Sequence, residues 1–183
     1  HLPVEGETVR GRTLRLGPGG KGSNQMTAAH RAGSEVKIIS SRGDDALGKI
    51  LEEHYRNEGM TEEYVRILPD GETASALIEI DERDAQNRII VILAANETVG
   101  RERVYEAEKD FADCDAVLTQ FETTPEAVIA AKELAQKYGK PFILNPAPCT
   151  PMPDGLYDCV DYVTPNETEL ETLTGMPAGT IRE

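Results

Sequence analysis

The chain is short of cysteine, of long apolar runs and of positive charge, and each shortage removes a class of function. It has three cysteines, Cys114, Cys149 and Cys159, an odd set with no CxxC spacing. Neither a disulfide framework nor a zinc site is indicated, and a reducing, cytoplasmic setting is the expectation. No apolar stretch approaches the roughly 20 residues of a membrane helix, and no signal-peptide pattern opens the chain. Basic residues number 19 against 33 acidic ones, a formal net charge of −14. That excess argues against nucleic acid and against an anionic membrane as partner, while leaving room for an anionic substrate in a local basic pocket. Two phosphate motifs are also missing. A P-loop needs Ser or Thr after its lysine, and Lys21 is followed by Gly22. Gly17, Gly19 and Gly22 do satisfy GxGxxG, but the dinucleotide version wants an acidic residue ending the next strand, about 20 residues on. That strand, Val36 to Ser41, ends in serines, so an oxidoreductase reading lacks its partner.

What is present is a glycine run, Leu16-Gly17-Pro18-Gly19-Gly20-Lys21-Gly22-Ser23-Asn24-Gln25, opening straight into a helical segment. Glycines allow positive φ and close approach of a ligand, and a helix N-terminus offers unpaired N–H donors with partial positive charge. With Lys21 and Asn24 alongside, an anionic or polyhydroxylated small molecule is the natural guest. A plain glycine turn before a packed helix accounts for the same residues.

The 183 residues suit one α/β domain, since a domain of about 150 residues buries roughly 68–70% of its unfolded surface. Strand and helix alternate: a strand from Val36 to Ser40, a helix over Ala46 to Glu58 capped by Asp44 or Asp45, and a strand from Asp115 to Gln120. Then come a helix from Pro125 to Tyr138, strands at Pro141 to Leu144 and Asp161 to Val163, and a helix after Asn166. Leu47, Ile50, Leu51 and His54 share one face of the first of these helices, which makes His54 structural. Thr124-Pro125 supplies an N-cap and a proline at the first helical position. The pattern predicts a mainly parallel sheet with helices on both faces. Two segments break it and read as antiparallel ribbon: Glu7 to Leu16, and a hairpin of Ala74 to Ile80 with Arg88 to Leu93 around a polar turn. They form a candidate lid or subunit contact, or an ordinary decorative hairpin.

In an open parallel sheet, ligands sit beyond the carboxyl ends of the strands. Glu122, Asn145 and Asn166 follow three successive strands there. Each also has a plain structural role open to it. Glu122 can be simply solvated, Asn145 before Pro146 can serve a turn, and Asn166 with Glu169 has the spacing of a capping box.

GGKGSN at Gly19 to Asn24, NPAP at Asn145 to Pro148 and TPNETE at Thr164 to Glu169 stand in the order and spacing of the PfkB-type carbohydrate kinases, the ribokinase family. The resemblance covers essentially the whole chain, including GETV from Gly6, GDD at Gly43 to Asp45 and QFE at Gln120 to Glu122. It implies an α/β ribokinase-like three-layer sandwich spanning 1–183, with a small β lid over about 5–16 and 73–93 that also makes a homodimer contact. It further implies an ATP-dependent kinase acting on a primary sugar hydroxyl, first of all that of ribose. Another sugar, a nucleoside, or a non-catalytic sugar-binding module are the alternatives. By the same resemblance Gly20, Lys21, Asn24 and Glu122 bind the sugar, and Asn166 with Glu169 serves the ATP phosphates, Glu169 acting indirectly on Mg2+. A monovalent cation is a further cofactor of complete members. The family's early sugar-contacting aspartate and its GAGD-type loop, with the catalytic aspartate, have no counterpart among these residues. The chain, which opens at His1 instead of methionine, is therefore expected to be an incomplete kinase, without its catalytic base and inactive alone.

Overall fold

The computed structural model of the chain describes residues 1–81, 83, 86–149 and 155–179. Helix α1 spans Lys21–Arg31. Strand β1 (Ser40–Gly43), helix α2 (Ala46–Glu58) and strand β2 (Val65–Leu68) form a parallel crossover unit, with Ser40 opposite Val65. Strands β3 (Ser75–Ile80) and β4 (Asn87–Ile92) pair as the antiparallel hairpin, Ser75 opposite Ile92. Parts of the hairpin turn, at 82, 84 and 85, lie outside the described residues. A 3-10 turn at Ala94–Thr98 leads to helices α3 (Arg101–Glu106) and α4 (Glu108–Asp113). The parallel three-stranded sheet β5 (Val117–Thr119), β6 (Phe142–Leu144) and β7 (Tyr162–Val163) follows, with α5 (Pro125–Lys137) crossing from β5 to β6 and α6 (Glu167–Thr174) leaving β7.

The α5 helix shows why this half of the chain holds together. Thr124 Oγ1 accepts from the Ala127 N–H at 3.2 Å, and Pro125 occupies the first turn, where its missing N–H costs nothing. Val128, Ala131, Leu134 and Ala135 then turn one face inward against Phe142 and Leu144 of β6, Phe111 of α4 and Val104 of α3. A second, smaller cluster joins Met26 of α1 to Tyr55 of α2 and Met60, with Val36 and Ile38 packed on it. Arg42, almost fully buried on β1, is paired with Glu52 and Glu62 at 3.1 Å each, which offsets the cost of burying its charge.

Asp45 knots three elements together. Its Oδ1 accepts from the Gly48 N–H at 2.7 Å, capping α2, and from the Thr73 hydroxyl at 2.6 Å, while Oδ2 accepts from the Thr73 N–H at 2.9 Å. Thr73 Oγ1 in turn accepts from the Gly43 N–H at 3.0 Å, fixing the root of β3 to the end of β1. These bonds hold the Asp45 carboxyl down to about 2. The knot leaves no room for side chains. A Cβ on Gly43 would stand 2.2 Å from the Gly71 carbonyl oxygen, and one on Gly48 would stand 2.2 Å from that of Gly43.

Four expectations are corrected. The first parallel strand starts at Ser40 instead of Val36, because its partner β2 begins opposite Ser40; residues 36–39 contribute packing without a ladder. The buried stripe of α2 runs through Gly48 and Tyr55, with Leu51 packed beside it, while Leu47 is 37% exposed. Without a side chain at Gly48, this edge of the helix lies close against the Gly43 carbonyl. Residues 7–16 form no strand. Gly11 interrupts the alternation, no ladder partner lies alongside, and Leu14 and Leu16 are 82% and 71% exposed. The parallel strands, lastly, form two ladders, β1–β2 and β5–β6–β7, where one sheet is expected. Ile39 and Tyr64, next to the two-stranded ladder, pack on the α5 core and join the halves by side chains.

Candidate functional site

The glycine run ends at Gly20, whose φ of 88° belongs to the left-handed region open to glycine, and α1 begins at the next residue. Gly20 has no side chain to cap the helix, and the cap comes from the far side of the chain. The Lys21 N–H donates to Glu122 Oε2 at 2.7 Å, a charge-assisted bond that sets a carboxylate on the positive end of α1. Glu122 is therefore not merely solvated: it follows β5 and is half-buried against the loop. Its own carbonyl accepts from Asn96 Nδ2 at 2.9 Å, and its N–H is bonded to the Gln120 side chain. A Cβ at Gly22 would stand 3.3 Å from Gln120 Nε2, so the glycine there permits α1 to lie close to the end of β5.

Asn145, directly after β6, carries the site to the next strand. Its N–H donates to the Thr119 carbonyl at 2.9 Å and its Nδ2 to the Thr164 carbonyl at 2.8 Å, while Oδ1 faces Gln25 Nε2 of α1 at 3.4 Å. Gln25 lies one helical turn beyond Lys21, on the same face, with Asn24 exposed beside it. Beyond β7, Asn166 Oδ1 accepts from the Glu169 N–H at 2.8 Å and Glu169 Oε2 accepts from the Asn166 N–H at 2.9 Å, the complete capping box of α6. Gly20, Lys21 and Glu122 are thus brought into one cluster, with Asn24 at its edge. Asn166 and Glu169 bond to one another, and among the described residues Thr164 and Asn145 link that end of the chain to Gln25 of α1.

Three participants escaped the sequence reading of the site: Gln25, Gln120 as a contact of the loop, and Asn96. Gln25 had a signal in its spacing of four from Lys21. Asn96 had none, since it arrives through the return of the β3–β4 hairpin, where Ala94 holds φ 39° and the Ala95 N–H donates to Glu72 O at 3.0 Å.

Among the described residues no group of three or more His, Cys, Asp and Glu side chains is placed to hold a metal ion. Mg2+ in nucleotide sites keeps waters and leans on one or two carboxylates plus the substrate phosphates. Glu169, whose Oε2 accepts from the Asn166 N–H in the capping box, is a single carboxylate of the kind that could support such an ion through water. No described helix is long and apolar enough to cross a membrane.

The family model for pfkB family carbohydrate kinases matches residues 1–183. The chain belongs to the PfkB carbohydrate kinase family. It is 36% identical over 171 residues to the ribokinase of Haemophilus influenzae, covering 93% of this chain and 56% of that protein. It is also 36% identical over 180 residues to the deoxyribokinase of Salmonella typhi, covering 98% of this chain and 58% of that one. The solved ribokinase of Arabidopsis thaliana, complexed with ribose and ATP, superposes with a TM-score of 0.86 at 33% identity over 100% of this chain and 59% of its own. The chain thus spans somewhat over half the length of these relatives. The α/β, mainly parallel architecture is the PfkB fold.

Proposed function

We propose that this chain carries the sugar-binding part of an ATP-dependent kinase that transfers the γ-phosphoryl group to a primary hydroxyl of ribose. The observation that carries the reading is the cluster at the carboxyl ends of β5 and β6, in which the glycine loop is locked to Glu122 by the Lys21 N–H. Backbone donors of Gly20 and the first turn of α1, the Lys21 and Asn24 side chains and the Glu122 acceptor suit a polyol, whose hydroxyls both donate and accept. Asn166 and Glu169 lie past the neighbouring strand, where ATP phosphates and their Mg2+ would stand; the capping box stiffens that helix start while Glu169 supplies charge. Phosphoryl transfer rests on positioning and electrostatic stabilisation. These residues supply positioning, and the base that takes the hydroxyl proton is proposed to lie outside the chain.

A 2-deoxy sugar is the second reading, because the Salmonella typhi deoxyribokinase matches at the same 36% identity as the ribokinase. The hairpin is proposed as a lid that also joins two copies. Leu77 and Ile78 of β3 are 54% and 52% exposed although neighbours on a strand point to opposite faces, so both faces are bare of cover. An isolated two-stranded hairpin is marginal in water, and apolar partners on both sides would stabilise it. Release of ADP by the full-length protein with ribose, 2-deoxyribose or no sugar tests the main reading. Turnover dependent on ribose is expected, and none with either sugar would reject it.

A further inference from the structure

We infer that Asn145 is a positioning residue that clasps the sugar-binding helix to the phosphate side of the site; this rests on the kinase reading above. Its side chain touches both α1 and the segment that leads into α6. Oδ1 faces Gln25 Nε2 at 3.4 Å, on the helix whose first turn carries Lys21 and Asn24. Nδ2 donates to the Thr164 carbonyl at 2.8 Å, two residues before the Asn166 cap of α6. Its N–H, bonded to the Thr119 carbonyl at 2.9 Å, holds the residue in register with the end of β5, three residues before Glu122. The amide serves both arms, since its oxygen accepts on one side and its NH2 donates on the other. Aspartate would lose the donor and set its charge against the Thr164 carbonyl.

The clasp fixes the distance between a hydroxyl held by α1 and phosphates held near α6. In phosphoryl transfer that distance matters, because a displacement of about 1 Å can cost on the order of a hundredfold in rate. Asn145 itself need not touch either ligand.

The test uses the full-length protein with Gln25→Ala, Asn145→Ala, Asn145→Asp and the double alanine variant. Steady-state kinetics with ribose and MgATP are read together with amide hydrogen exchange of the sugar-free protein. Gln25→Ala, which cuts one arm at a helix surface, is expected to raise KM for ribose three- to tenfold with KM for ATP unmoved. Asn145→Ala is expected to lower kcat at least tenfold as well, and the double variant to match Asn145→Ala. Asn145→Asp is expected not to restore kcat. In the exchange data, Asn145→Ala should speed the first-turn amides of both α1 and α6, while those of α5 stay unchanged. Full additivity of the two alanine substitutions, or wild-type exchange at both helix starts, would overturn the clasp. If the wild-type protein shows no ribose-dependent turnover, the kinase reading fails by itself and the exchange data decide the clasp.

Discussion

Removing the Glu122 carboxylate should loosen the glycine loop before any sugar arrives. The structure gives the size of the effect. The Lys21 N–H is the first orphan donor of α1, Gly20 offers no cap, and Glu122 Oε2 at 2.7 Å is its partner. A hydrogen bond to a charged group contributes about 1.5–3 kcal/mol, and an anion at a helix N-terminus adds about 0.3–1 kcal/mol. At a half-buried position the lower ends apply, so Glu122→Ala should cost about 2 kcal/mol of loop order. Spent entirely on sugar affinity, that is roughly a 30-fold weaker ribose Kd. Glu122→Gln keeps an acceptor and loses the charge, about 1 kcal/mol and roughly fivefold. Calorimetric titration of the full-length protein with ribose measures the affinities. Hydrogen exchange at Lys21 to Asn24 without sugar separates loop order from a lost direct contact. Wild-type exchange in Glu122→Ala would show that the carboxylate does not order the loop, even if affinity fell.

The Asp45 knot predicts a pH dependence of stability. Its carboxyl is held at about 2, below its ordinary 3.8, so its contribution is complete above about pH 4 and is lost as pH falls towards 2. Asp45→Asn keeps the α2 cap, strands the Thr73 N–H at a cost of about 2 kcal/mol at pH 7, and should flatten the melting temperature between pH 4 and 2; an unchanged slope there would refute the assignment. Glu169→Gln separates capping from magnesium support, because glutamine also completes a capping box. Wild-type melting with turnover that falls at limiting Mg2+ is expected, and unchanged turnover there would leave Glu169 a cap alone. With the hairpin joining two copies as proposed, the full-length protein should sediment as a dimer and Ile78→Glu, at an exposed position opposite Ile89, as a monomer with the α5 core still folded; a monomeric wild type or a dimeric variant would reject that contact.

Elements whose signals are local were legible in the sequence. The α2 and α5 helices begin where Asp45 and Thr124-Pro125 say they should, and the hairpin strands fall within a residue of the alternating runs. The capping box of α6 was readable from Asn166 and Glu169 alone. What failed depended on distant neighbours. No local pattern says that β2 pairs only from Ser40 onward, or that residues 7–16 lack a ladder partner. At the site, the glycine loop and the strand-end polar residues were legible from turn chemistry and topology. That Glu122 would cap α1 from 101 residues away was not, since nothing near either residue encodes the pairing. Gln25 and Asn96 were hidden for the same reason: their roles exist only once α1, the hairpin root and β5 have come together.

On the proposal above, the rim formed by the glycine loop and Glu122 holds ribose for phosphorylation. The measurement closest to it is ribose-dependent ADP release by the full-length protein, with KM values for ribose and MgATP, for the wild type and Asn24→Ala. Asn24 is exposed in the sugar-free protein; losing a hydrogen-bonding partner that bound ribose would bury costs about 1–3 kcal/mol, so Asn24→Ala should raise KM for ribose roughly 5- to 150-fold and leave KM for MgATP near the wild-type value. An Asn24→Ala enzyme with unchanged KM for ribose, or a wild-type protein that releases no ADP in response to ribose, would mean that this rim does not hold the phosphorylated sugar.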